Sequence, residues 1–284
     1  MRAHEPVEWS RVRGASRLRN LGKSAADWVG AAATLSRLKP PRRAYDWLVS
    51  QIESHEFMNE FMSDARERER QARLALAAEQ ALLMPSQLPL EVLPISWMLG
   101  AWRGHGKGGY PHVADFSFVQ EVTVTTDGRP FLIYESRSWE LDDDGRVGRP
   151  LAMETGFIHV IHAADDVDAK LNTVHDVEMI ISHPTGYAEV WSGTTTTTGI
   201  ENARFTGAKM ELRSHGVVSA DSAKPYAGGE RLYGLVNGNF LWRFDMAAMG
   251  QEPAAHVAAQ LQPLRADAPQ VPESAPASSE SRDE

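Results

Sequence analysis

Gly100-Ala-Trp102-Arg-Gly104-His-Gly106-Lys-Gly108-Gly-Tyr110-Pro111 is the stretch on which the reading of this 284-residue chain turns. Glycines recur at every second position around a tryptophan, and the run closes on Tyr-Pro. Alternate positions of an extended segment share one face. Glycine on such a face lets a strand or a ligand approach the backbone closely. A phosphate-binding loop does not fit. No strand leads into the run, no Lys-Ser/Thr follows its last glycine, and no amphipathic helix comes after it.

Downstream the signal is short strands with turn punctuation. Phe116, Phe118, Gln120, Val122 and Val124 alternate with Ser117, Val119, Glu121 and Thr123, and Asp127-Gly128 makes a hairpin turn before Pro130–Trp139. Asp142–Gly145 predicts another turn and Thr155–Ile161 another strand. Val177, Met179 and Ile181 alternate up to Pro184-Thr-Gly186, and Tyr187–Thr194 runs away from it. Arg231–Val236 and Asn239–Met246 flank Asn237-Gly238, a strong hairpin signal. Thr194–Thr198 has high β-propensity. Hairpins without intervening helices imply a mainly β fold, an up-and-down antiparallel barrel of about ten strands.

Upstream, residues 1–85 predict a helical N-terminal extension broken at Pro40-Pro41. Met58, Phe61, Met62 and Ala65 give it one apolar face. Asp64–Arg73 alternates acid and base as a solvated face. These helices are expected to dock on the barrel or to join two copies as a homo-oligomer. The barrel domain is expected over 86–264. Residues 265–284, rich in Pro, Ala, Ser and Glu, are expected to be a disordered tail.

A net charge of -9 argues against nucleic-acid binding by the whole chain, although residues 1–45 carry ten Lys or Arg against three acids. The absence of cysteine excludes disulfides, thiolate metal sites and cysteine nucleophiles. No stretch is long and apolar enough to span a bilayer, and no secretory leader is evident, so a cytoplasmic location is expected. There is no Gly-x-Ser-x-Gly elbow for a serine hydrolase. His159, His162, His175, His183 and His215 lack metal-binding spacing and read as surface residues. His105 lies opposite its flanking glycines and points outward.

The glycine run resembles, at every fixed position, the G-x-W-x-G-x-G-x-G-x-Y-P signature that opens the nitrobindin family of heme-binding β-barrels. Arg129-Pro-Phe-Leu-Ile-Tyr134-Glu-Ser-Arg137-Ser-Trp139 and Glu154-Thr-Gly156-Phe157 match further stations in order and spacing. So do His183-Pro-Thr-Gly186 with Glu189, and Ser222-Ala-Lys224 with Arg231-Leu-Tyr233. The resemblance covers about residues 93–264. It implies one heme b per chain, with His256 after the last predicted strand as the axial metal ligand and catalytic centre. It also implies cofactor contacts from Gly100, Trp102, Gly104 and Gly106 of the signature, although Trp102 and Tyr110 read by themselves as barrel-closing aromatics. His112 stands where the family commonly has Thr, and implies a polar contact to the heme or its propionates. Lys224 implies a heme-facing or propionate-pairing cation. Ala152 replaces a common pocket histidine, so the distal side loses a hydrogen-bond donor.

The implied activity is isomerisation of peroxynitrite to nitrate at a ferric heme, with nitric oxide as a second ligand. Two other readings stay open. A heme-free carrier of an apolar acid would need a cation inside the barrel, for which Arg137, Lys224 and Arg243 are candidates. A nitric oxide sensor would use the N-terminal helices as its output surface.

Overall fold

The computed structural model describes residues 55–111, 113–161, 174–202 and 204–264, with side chains from residue 63 onward. Ten antiparallel strands form a closed barrel. They are β1 (Gly100–Tyr110), β2 (Val113–Thr125), β3 (Leu132–Leu141), β4 (Val147–Ile161) and β5 (Val174–His183), then β6 (Tyr187–Glu201), β7 (Arg204–Ser219), β8 (Tyr226–Val236), β9 (Asn239–Ala248) and β10 (Ala254–Pro263). Each strand pairs with its sequence neighbours, and β10 returns to β1, so no edge is left unpaired. The Asn237-Gly238 hairpin forms as expected, with both residues at positive φ (51° and 76°). One boundary needs correction: His256 does not follow the last strand but lies in β10, the strand that closes the barrel.

The glycine run is itself β1. A Cβ on Gly106 would lie 2.2 Å from Phe118 Cζ and 2.6 Å from the Ala258 carbonyl oxygen, and one on Gly108 would lie 2.3 Å from Phe116 Cζ. The missing side chains thus make room for two β2 rings laid against the wall of the barrel. At one end a 3-10 segment, Leu90–Met98, plugs the barrel with buried Val92, Leu93, Ile95, Trp97 and Met98. Trp97 Nε1 donates to Thr195 Oγ1 at 3.3 Å, and Trp97 and Trp102 lie against Phe240 with ring centroids 6.0 and 5.4 Å apart. The β1–β2, β3–β4, β5–β6, β7–β8 and β9–β10 turns lie at the opposite end.

Helix α1 (His55–Gln80) crosses the division between two compact units, Met1–Ala72 and Arg73–Glu284. In the first unit Arg70 pairs with Glu67 at 2.9 Å, part of the expected charged face. In the second, the last turns of α1 cover the outside of the barrel. Leu74, Ala77 and Ala78 cluster with Ala101. Gln80 donates to the Thr126 carbonyl at 2.8 Å and accepts from its N–H at 2.7 Å. Beneath this cover Glu121 is 1% exposed and pairs with Arg103 at 3.1 Å and with Arg73 at 3.9 Å. Outward-facing Glu121 and Thr123 are buried there, and Thr123 Oγ1 accepts from Arg73 at 3.3 Å. Among the described residues no helix is long and apolar enough to cross a membrane.

Candidate heme site

His256 occupies an irregularity shared by three strands. Along β9, Ala255 faces Asp245 and Val257 faces Phe244, so His256 is an extra residue without a partner. Along the β1–β2 ladder the register shifts between Gly108 and Tyr110, which leaves Gly109 without one. The two bulges meet: His256 Nδ1 lies 3.0 Å from the Gly109 carbonyl oxygen. A carbonyl only accepts, so Nδ1 carries the proton and neutral His256 presents a bare lone pair at Nε2. Bulges re-aim side chains in this way beside functional sites. Three rings stand edge-on to the imidazole: Tyr110, Phe116 and Phe244, with centroids 5.6, 6.3 and 6.0 Å away. Tyr110 is locked, its hydroxyl donating to the Met246 carbonyl and accepting from Ala248 N–H, both at 3.0 Å.

His256, Tyr110, Phe116 and Val257 line a cavity of about 920 Å³ at the unplugged end, within the range of ligand sites. Its rim carries Lys107 and Arg243 together with Asp115, Glu140, Asp142 and Asp143. Tyr110, Phe116 and Val257 give a flat group an apolar wall beside the imidazole, and the charged rim gives partners to a polar edge. The donor set also fits heme: one neutral nitrogen, with no cluster of three or more His, Cys, Asp or Glu among the described residues to hold a bare metal ion.

Behind Phe244 lies a buried polar network. Arg231, 2% exposed, donates from Nη2 to Glu154 Oε1 at 2.7 Å, and from Nη1 to Glu154 Oε2 and to the Tyr233 hydroxyl, both at 3.0 Å. Tyr134 donates to the same carboxylate at 3.2 Å. The guanidinium lies over Phe244, Trp191 and Trp242, with its carbon 4.8, 4.9 and 5.8 Å from the ring centroids. Burial alone would raise the Glu154 pKa, but the charge and hydrogen bonds of Arg231 hold it below the ordinary value. Burial raises both Tyr134 and Tyr233. Next to this pair, His183 Nε2 lies 2.6 Å from Glu189 Oε2, and the Tyr226 hydroxyl donates to Glu189 Oε1.

Several sequence readings change here. His183 and His175 are buried or nearly so, not surface residues; the His183 side chain is 15% exposed and paired with Glu189. The cation inside the barrel is Arg231, whereas Arg243 is exposed and paired with Asp245 and Arg137 pairs with Glu135 at 2.8 Å. Glu154 already fills the carboxylate-binding position of Arg231, which removes the argument for an acid carrier. Lys224 is exposed in the β7–β8 turn beside Met249 and Gly250, at the same end as His256; its carbonyl accepts from Tyr187 at 2.6 Å. Gly100 and Trp102 belong to the plugged end, where Trp102 Nε1 donates to the Met98 carbonyl at 2.9 Å. At about 3.4 Å per residue, Trp102 stands roughly 20 Å along β1 from Gly108, which faces Val257. Gly104 packs on the Gln260 backbone and Gly106 under Phe118. These four close the barrel rather than line the cavity. His112 lies outside the described residues.

The family model of the THAP4-like, heme-binding β-barrel domain matches residues 91–262. The chain belongs to this family. Among relatives, the peroxynitrite isomerase of Nocardioides sp. is 39% identical over 178 residues, 63% of this chain and 96% of that protein. The ferric nitrobindin-like protein of Thermobifida fusca is 36% identical over 186 residues, 63% and 97% of the two chains. The crystal structure of Rv2717c from M. tuberculosis superposes with a TM-score of 0.53 at 28% identity, covering 63% of this chain and 99% of that one. The heme-binding β-barrel family thus accounts for the barrel and its cofactor class.

Proposed function

We propose that this chain holds heme b through His256 Nε2, isomerises peroxynitrite to nitrate at the ferric state, and binds nitric oxide. The observation that carries the reading is the His256 imidazole, fixed by the Gly109 carbonyl at 3.0 Å with Nε2 free to coordinate. The relatives named peroxynitrite isomerase support the reaction class. When bound, a ferric heme would supply an electrophilic iron for the rearrangement of peroxynitrite to nitrate. The chain's own part is positional. The Gly109 carbonyl sets the tautomer and the orientation of His256. Tyr110, Phe116 and Phe244 pack edge-on around the imidazole and offer it no competing hydrogen bond, since the Tyr110 hydroxyl is committed to the β9 backbone.

The test is a hemin titration of the full chain followed by stopped-flow mixing with peroxynitrite. One hemin per chain is expected, with a Soret band that His256→Ala alters and an affinity that falls by about 100-fold or more. Peroxynitrite decay should accelerate over free hemin, with the products diverted to nitrate. Equal spectra and affinities for the parent and His256→Ala would remove His256 from the site. Decay no faster than with free hemin would remove the isomerase.

A further inference from the structure

Peroxynitrous acid that escapes isomerisation breaks homolytically at its O–O bond to hydroxyl radical and nitrogen dioxide, and the latter is a one-electron oxidant. The barrel interior is full of oxidisable rings, and their surroundings differ sharply. Trp191 and Trp242 have the Arg231 guanidinium over their faces, which disfavours a radical cation on either. Tyr233 accepts a hydrogen bond from Arg231. Tyr134 donates to Glu154, but both oxygens of that carboxylate are taken by Arg231, so it is a poor proton acceptor. Tyr110 and Tyr187 donate to backbone carbonyls, which are not bases. Of the five described tyrosines, Tyr226 is alone in donating to a carboxylate that no arginine holds, that of Glu189. Glu189 is 2% exposed, and its other oxygen lies 2.6 Å from His183 Nε2.

We infer that Tyr226 is a redox-active tyrosine, a built-in reductant that intercepts nitrogen dioxide with Glu189 as its proton acceptor and His183 as the support of that carboxylate. The step balances. Tyr226 loses one electron to nitrogen dioxide, which becomes nitrite, and its phenolic proton passes to Glu189, leaving a neutral phenoxyl radical and a carboxylic acid. No charge is created in the barrel, which is why a Tyr–carboxylate pair can be oxidised there and a tryptophan under a guanidinium cannot. Burial and the Glu189 charge both raise the Tyr226 pKa, so the phenol keeps its proton until the electron leaves. The position is suitable at both ends. Phe244 spans His256 and Tyr226 at 6.0 and 6.5 Å, and Tyr187 continues toward the exposed β5–β6 turn at 5.2 Å from Tyr226.

The inference rests on the peroxynitrite reading only for the origin of the oxidant, so its test supplies the oxidant separately. The hemin-loaded full chain is exposed to nitrogen dioxide made by pulse radiolysis of nitrate, with freeze-quench electron paramagnetic resonance and peptide mass spectrometry as readouts. A tyrosyl radical is expected, with 3-nitrotyrosine chiefly at Tyr226. Tyr226→Phe should abolish the radical and move residual nitration to Tyr187. Glu189→Gln should lower the radical yield by about tenfold, the scale of one charge-assisted hydrogen bond. Radical formation in the unaltered chain should be slower in deuterated water. An unchanged yield in Tyr226→Phe overturns the inference, as does nitration of Tyr187 above Tyr226. If Glu189→Gln does not fold, equal rates in light and heavy water overturn it. Tyr226→Phe should leave peroxynitrite decay unaltered, so loss of the isomerase in the parent chain remains a separate result.

Discussion

Among single residues, Arg231 and Glu154 are the most consequential pair outside the heme site. Both sit inside a closed barrel, where an unpaired charge is far more costly than a matched pair. Glu154→Gln should destabilise the chain by about 3–5 kcal/mol, because it leaves the guanidinium buried without its counter-charge. The double variant Glu154→Leu with Arg231→Met should recover much of that loss, since apolar groups of similar volume replace a buried pair at little cost. Chemical unfolding of the three proteins decides it; a double variant no better than Glu154→Gln would give the pair a further structural role. The pH dependence has a definite sign. A carboxylate with a folded pKa below its unfolded one contributes stability above the unfolded value, near the reference of 4.5, and loses it as pH falls through the folded value. The parent should therefore lose stability more steeply than the double variant below about pH 4.5.

At the scale of elements, β1 shows both what the sequence reveals and what it hides. Alternating glycines announce an extended segment with one bare face, but not what covers that face. The structure supplies the Phe116 and Phe118 rings, and this makes a paired prediction. Gly108→Ala should cost about 1–3 kcal/mol, and Phe116→Leu should relieve most of it, because the three atoms nearest the new methyl all belong to that ring. Gly106→Ala should be relieved only in part by Phe118→Leu, because the Ala258 carbonyl also stands in the way. Double-mutant cycles read the difference, and equal rescue at both positions would contradict the packing described. Hairpin signals such as Asn237-Gly238 were legible because the turn chemistry is local. β7 is less so: outward Lys209, Glu211 and Arg213 mask the buried Ala208, Met210 and Leu212. The candidate site divides in the same way. His256 stands out only through the family resemblance, since its bulge and its bond to Gly109 join strands at opposite ends of the barrel sequence. Glu154, Glu189 and Arg231 carried a signal that position alone reveals: a charge at an inward step of an otherwise apolar alternation, beside Ile158, Trp191 and Leu235.

For the whole molecule, the question is how much chain the barrel needs. Composition places a boundary near residue 86, where helical patterning stops, but a compact unit runs from Arg73. The difference is physical. Residues 73–84 bury Leu74 and Ala77 on the outside of the sheet, cap the Thr126 backbone through Gln80, and bring Arg73 to Glu121. A chain of residues 73–264 should then keep both the hemin titration and the thermal transition of the barrel. One of residues 86–264 should keep the hemin titration, because residues 73–84 contact the barrel at Thr126 and Glu121 and not at His256, yet lose about 3 kcal/mol from the exposed leucine contact and the uncovered Glu121. At this size that is a fall in Tm of roughly 6–12 °C. Calorimetry with parallel hemin titrations separates the outcomes. An unchanged Tm from residue 86 would make α1 an ornament of the barrel, whereas loss of hemin binding would mean that the helix orders the cavity from a distance.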